Sequence, residues 1–245
     1  MRIRLLIEYD GTGYSGWQRQ DGEKSVQQAI EDALRILTGE KSVLHAAGRT
    51  DAGVHALGQV AHFDTESRIP PDKFSFALNT MLPPDIRIKE SGIADGRFHS
   101  RFDAKQKHYR YMIQNSPHAS AVLRNQTMHV PPKMDLKKMR KAAEFLVGTH
   151  DFAAFTGSPC NVKTTVRTVY SIEITQLGSL VQIDVVGSGF LYNMVRIIAG
   201  TLIYVGIGKL EAEDVASILE SKDRRKAGVT AKPQGLFLVE VRYES

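Results

Sequence analysis

Hydrophobic and polar positions divide the chain into short periodic segments. Ile3, Leu5, Ile7 and Tyr9 alternate with charged residues and predict a first strand. After a glycine-rich loop, Ser25 and Gln28 form a capping box, and Val26, Ala29, Ile30, Ala33, Leu34 and Leu37 make one helical stripe that Gly39 ends. Strands are expected over 42–47 and 57–64. A helix is expected over 72–82, with Phe74, Ala77, Leu78 and Met81 inward, closed by Pro83 and Pro84. A strand near 86–93 completes this half.

The second half repeats the order. A strand over 105–114 precedes a helix capped by Asp135, with Leu136, Met139, Ala143, Leu146 and Val147 on one face and Gly148 at its end. Val166, Thr168, Tyr170, Ile172 and Ile174 alternate, as do Val181, Ile183 and Val185, which predicts two strands around the turn at 177–179. Helices over 193–205 and 211–220 and a strand over 236–243 follow. Both halves read β-α-β-β-α-β, the order of the ferredoxin-like motif. The expected fold is therefore α+β: two similar ferredoxin-like domains, 1–104 and 105–245, with mostly antiparallel sheets meeting at a central basic cleft.

Composition narrows the class. The 245 residues are 42% hydrophobic and 24% charged, the balance of a globular protein with a real core. One cysteine, Cys160, excludes a disulfide framework or thiolate zinc cage and favours a reducing compartment. Charge interrupts the N-terminus too early for a signal peptide, and no apolar run reaches membrane length, so a cytoplasmic location is expected. The net charge of +5 favours a polyanionic partner. Arg97, Arg101, Lys105, Lys107, His108 and Arg110 are interleaved with Phe98, Phe102, Tyr109 and Tyr111, a mixture suited to phosphates and unstacked bases or, equally, to a solvated strand face.

The candidate chemistry sits at 46–58, A-A-G-R-T-D-A-G-V-H-A-L-G, where three glycines surround Arg49, Asp51 and His55. A glycine-flanked turn can present one carboxylate at a chosen angle. Arg196 lies among Leu191, Met194, Val195, Ile197 and Ile198, so its guanidinium either points outward or is buried against a carboxylate. Asp51 as that partner would be held ionised, as a nucleophile requires. The G-T-G-Y-S-G run at 11–16 matches the dinucleotide fingerprint, but no helix opens at its last glycine and no acidic residue ends the strand at 42–47. His45, His55 and His62 lack a carboxylate or thiolate at ligand spacing, so no metal is expected.

Four segments, Y-D-G-T-G-Y-S-G-W-Q at 9–18, R-T-D-A-G-V-H at 49–55, K-H-Y-R-Y at 107–111 and N-M-V-R-I-I-A-G at 193–200, closely resemble the tRNA pseudouridine synthase A family. The resemblance implies a cofactor-free homodimeric isomerase acting on uridines 38–40 of the tRNA anticodon stem-loop. Position by position, it implies Asp51 as the catalytic aspartate, Tyr109 as the tyrosine packing on the target base, and Arg196 as the arginine paired with the aspartate. Asp51 either attacks the anomeric carbon or removes a ribose proton; Tyr109 also relays the final proton. Arg49, Lys105 and Lys107 are candidates for contacting the substrate. The alternatives are a noncatalytic tandem RNA-binding protein, although 57–64 lacks an RNP1 match, and a nucleotide-dependent enzyme using the loop at Gly11.

Overall fold

The computed structural model describes residues 1–157 and 162–244, so Cys160 lies outside the described residues. In chain order the elements are β1 (Arg2–Tyr9), α1 (Val26–Thr38), β2 (His45–Ala46), β3 (His55–Asp64), α2 (Phe74–Asn79), β4 (Ile86–Ala94) and β5 (Gln106–Asn115). Then come β6 (Met128–Val130), α3 (Leu136–Glu144), β7 (Gly148–Asp151), β8 (Val166–Leu177), β9 (Leu180–Gly187), α4 (Met194–Gly206), α5 (Asp214–Ser221) and β10 (Leu236–Arg242). By contact density the chain forms two compact units. One is Met1–Lys105 with Phe237–Ser245, and the other is Gln106–Leu236.

In the first unit β1 pairs antiparallel with both β3 and β4, and β2 pairs antiparallel with β3. That gives the order β4-β1-β3-β2 expected of a ferredoxin-like unit. Ile3, Leu5 and Ile7 are wholly buried, as their alternation requires, together with Ile30, Leu34 and Phe63. Ser25 caps α1 by accepting the Gln28 N–H at 3.2 Å, and Gly39 ends it at φ 75°. The segment 237–245, counted with the second half on sequence, groups here: Phe237 and Leu238 lie opposite His55 and Ala56 in parallel register.

Three expectations for this unit are revised. The strand over 42–47 shrinks to β2, because side chains of α1 take the backbone of Leu44: its N–H donates to Glu31 Oε1 at 3.0 Å and its carbonyl accepts from Gln27 Nε2. The helix over 72–82 leaves α-geometry at Asn79, whose amide side chain bonds both the N–H and the carbonyl of Ile88 on β4 at 2.9 Å. Met81, beyond that end, is exposed rather than inward.

The second unit carries β5-β9 and β9-β8 antiparallel ladders, with β7 on β8 and β6 parallel to β5. The strict alternation expected along β8 fails at a register shift between Val169 and Ser171. The buried residues are Val169 and Ile174, while Val166 and Tyr170 face outward. α3 ends at Glu144, short of Gly148, which at φ 115° turns the chain into β7. α4 is buried along nearly its whole length. Gly200 in it packs so closely on the Val229 carbonyl that a Cβ there would lie 1.8 Å from the oxygen. Among the described residues no helix is long and apolar enough to cross a membrane.

Candidate active site

The R-T-D turn between β2 and β3 is held by the loop that follows β1. Trp17 N–H donates to the Thr50 carbonyl at 3.0 Å, and Gly53 N–H donates to the Tyr14 carbonyl at 3.3 Å, so the backbone is pinned on both sides of Asp51. Val54 N–H closes the turn on the Asp51 carbonyl at 3.1 Å. Below it, the Tyr9 and Thr50 hydroxyls meet at 2.7 Å and Gln59 Nε2 donates to the Gly48 carbonyl at 2.8 Å. Tyr9, Thr50 and Gln59 are all buried, Asp51 is half-buried and Arg49 is exposed. A carboxylate is thereby presented from a backbone with little freedom.

The G-T-G-Y-S-G run has a structural task here. A Cβ on Gly11 would lie 2.0 Å from the Val54 carbonyl oxygen, and one on Gly16, which has φ 105°, would lie 2.6 Å from the Thr50 carbonyl oxygen. These glycines allow two backbones to touch, the same property that lets dinucleotide loops approach a pyrophosphate. His55 is buried behind them, with Nδ1 accepting the Gly11 N–H at 3.1 Å and its ring stacked on Phe237 at 4.6 Å.

In the second unit, Tyr109 lies on β5 opposite Val185, 8% exposed, with its ring edge-on to Phe190 at 5.3 Å. Arg196, in the first turn of α4, is half-buried. Its Nε donates to the Ala231 carbonyl at 2.7 Å and its Nη1 to Asn193 Oδ1 at 2.9 Å, while its own carbonyl accepts the Ala231 N–H. Asn193 adopts φ 61° to begin the helix, a conformation asparagine tolerates well. The anchoring by Asn193 and Ala231 is invisible in sequence at Ala231, whereas Asn193 stands within the recognised N-M-V-R segment.

The basic, aromatic-rich stretch separates into two kinds of residue. Arg97, Arg101, Phe102 and Lys105 are exposed, Phe102 at 74%, and the Arg101 guanidinium lies 5.9 Å from the Phe102 ring centre. Tyr109 and Tyr111 are buried instead, and Tyr111 donates to the Lys232 carbonyl at 2.7 Å. His108 and Arg110 both engage Asp184, at 2.6 and 2.9 Å. Lys107, half-buried, precedes them on the strand.

Among the described residues no group of three or more His, Cys, Asp or Glu side chains could hold an ion. His62 packs instead between His45 and His99, with ring centres 5.1 and 4.9 Å away, and its Nδ1 meets Ser100. Burial first, then Arg2, His99 and His45, push its pKa from 6.5 down to about 4, against a smaller opposing pull from Asp64. The unfolded chain therefore binds this proton before the folded one does. Stability from this group is complete above about pH 6.5 and drains away as pH falls towards 4, by on the order of 2–3 kcal/mol. Urea midpoints measured across that window should fall less in His62→Gln than in the parent; parallel curves would show that His62 does not titrate this way.

Comparison with known proteins places the chain in a family. The family model described as tRNA pseudouridine synthase matches residues 5–103 and 142–244. A protein named tRNA pseudouridine synthase A from Acetivibrio thermocellus is 54% identical over 241 residues, covering 98% of this chain and 99% of its own. Namesakes from Ruminiclostridium cellulolyticum and Geotalea uraniireducens are 53% and 52% identical, each over 99% of this chain and 99% of their own. The family model takes in the R-T-D turn and the Arg196 helix, the relatives match over nearly the whole chain, and the chain belongs to the tRNA pseudouridine synthase A family.

Proposed function

We propose that this protein isomerises uridine to pseudouridine at positions 38–40 of the tRNA anticodon stem-loop, with Asp51 as the catalytic carboxylate. Isomerisation breaks the bond between the ribose anomeric carbon and N1 of uracil, turns the base and joins C5 to the same carbon, and as C5 gives up its proton N1 takes one up. Nothing enters or leaves in sum. The protein has to supply a carboxylate at the sugar, a group against the base and a proton acceptor. Asp51 fills the first role, either by attacking the anomeric carbon or by taking a ribose proton, and Tyr109 packs on the base and relays the proton. Arg196 is the counter-ion of the carboxylate. The observation that carries the reading is the Asp51 turn, clamped by Trp17 on one side and Tyr14 on the other.

The test is pseudouridine mapping on unmodified tRNA incubated with the protein alone and with Asp51→Ala. Signals in the anticodon stem-loop from the parent only are expected; binding without any signal would favour the noncatalytic RNA-binding alternative.

Two further results are expected. Arg196→Lys should lower the rate by about 100-fold or more, because an ammonium cannot reproduce a guanidinium's fixed fork. Nε and Nη1 serve Ala231 and Asn193 from two fixed positions, and a single lysine nitrogen does not reproduce that spacing. A rate equal to the parent's would remove Arg196 from the site. Lys105→Glu and Lys107→Glu should weaken tRNA binding and flatten its salt dependence, by about one unit of slope for each lost phosphate contact. An unchanged slope would show that these lysines do not meet phosphate. The family resemblance also supports a cytoplasmic homodimer, which sedimentation would check.

A further inference from the structure

Three buried polar side chains lie beneath residues 48–50, immediately before Asp51. The Tyr9 and Thr50 hydroxyls are 2.7 Å apart, and Gln59 holds the Gly48 carbonyl at 2.8 Å. Their exposures are 3%, 7% and 0%. A hydroxyl pair in such a place contributes little net stability, since an apolar pair of the same shape avoids the desolvation cost. Gln59 adds to that cost, because among the described residues its buried Oε1 has no hydrogen-bond partner. What such a network does supply is direction: a hydrogen bond fixes one rotamer where apolar packing tolerates several.

The backbone clamps described above fix the Thr50 carbonyl and Gly53. Holding that carbonyl sets the peptide plane between Thr50 and Asp51, and the Thr50 side chain adds a second hold at the Cα from which that plane starts. Thr50 is β-branched and stiff at χ1, so holding its hydroxyl also holds its Cα and the backbone leading to Asp51. Tyr9 is itself packed in place, buried on β1 opposite Ala56 and 5.9 Å from the Trp17 ring. Burial raises the Tyr9 pKa, so the phenol stays neutral wherever the carboxylate is ionised.

We infer that the Tyr9–Thr50 hydroxyl pair, braced by Gln59, is a positioning device that aims the Asp51 carboxylate at the ribose. The inference rests on the catalytic reading of Asp51. Tyr9, Thr50 and Gln59 are positioning residues that act through the turn and touch no reacting atom.

The experiment compares single-turnover pseudouridine formation on unmodified tRNA by the parent, Asp51→Ala, Tyr9→Phe, Thr50→Val, Thr50→Ser and the Tyr9→Phe/Thr50→Val double variant. Affinity for tRNA, thermal midpoint and the pH profile are measured alongside. Tyr9→Phe and Thr50→Val should each lose about 10- to 100-fold in rate, with affinity unchanged within about two-fold and the pH limbs unmoved. The double variant should be no slower than the worse single one, because either change breaks the same bond. Thr50→Ser, which keeps the hydroxyl, should stay within about three-fold of the parent. Parental rates in Tyr9→Phe and Thr50→Val with Asp51→Ala inactive would overturn this inference alone. So would a loss that vanishes when the variants are assayed well below their thermal midpoints. A parent that makes no pseudouridine, or an active Asp51→Ala, would overturn the reading beneath it.

Discussion

Asp51→Ala is expected to reduce pseudouridine formation by at least about four orders of magnitude while leaving tRNA affinity within about three-fold of the parent. The size follows from what the reaction asks of one group. Breaking the uridine glycosidic bond needs a carboxylate at the sugar, and no second acidic residue stands in the R-T-D-A-G-V-H stretch to replace it. The retained affinity follows from where the side chain sits. Asp51 brings negative charge towards a polyanion, so its removal relieves repulsion instead of forfeiting a phosphate contact. Alanine keeps the backbone bonds that hold the turn, at the Thr50 carbonyl, the Asp51 carbonyl and the Gly53 N–H. Asp51→Asn should be as inactive as the alanine variant, since an amide neither attacks a sugar nor accepts its proton. Equal loss of binding and rate would mean that the carboxylate supports the site's structure. Retained activity would move the chemistry elsewhere.

The turn that carries Asp51 is legible in sequence, and what is not legible around it has a common cause. Glycines around a lone carboxylate mark the turn at Asp51, and the R-T-D motif points to the family. The elements were legible where one periodicity dominates, as in β1 and α1. They were misread where side chains intercept the backbone. Leu44 is taken by Glu31 and Gln27, which ends the strand over 42–47 early, and Asn79 binds Ile88, which ends a helix whose stripe runs on to Met81. The β8 alternation was misread for a related reason, a bulge that no residue type announces. The support of Asp51 escaped altogether. Tyr9 and Thr50 are 41 positions apart, and a tyrosine at the end of a strand gives no sign that its hydroxyl reaches a distant threonine. The basic stretch could be read two ways, and burial divides it: Tyr109 and Tyr111 belong to the core, whereas Phe102 faces outward with Arg101.

Gly11→Ala is expected to destabilise the protein by on the order of 3–5 kcal/mol and to abolish turnover in whatever remains folded. The new methyl carbon would stand 2.0 Å from the Val54 carbonyl oxygen and 2.7 Å from its carbonyl carbon, both backbone atoms that cannot rotate away. Relief requires the loop after β1 to part from the segment 51–54. Parting them strains the Gly11 N–H bond to His55 and the Gly53 bond to Tyr14, and it shifts the turn carrying Asp51. Gly13→Ala is the control, because its new methyl would meet no atom within 4 Å and it shares the same short helical turn, Gly11–Gly13. It should change the thermal midpoint and the rate only slightly. The pair also separates two uses of a glycine-rich loop. In a phosphate-binding loop the glycines make room for a ligand, so substituting them leaves the empty protein standing and spoils only binding. Here Gly11 makes room for the protein's own backbone, so the loss should be one of stability measured with no ligand present. Indistinguishable thermal midpoints for the two variants would mean that the close approach at Val54 is not maintained in solution, and the clamp on the Asp51 turn would lose its first support.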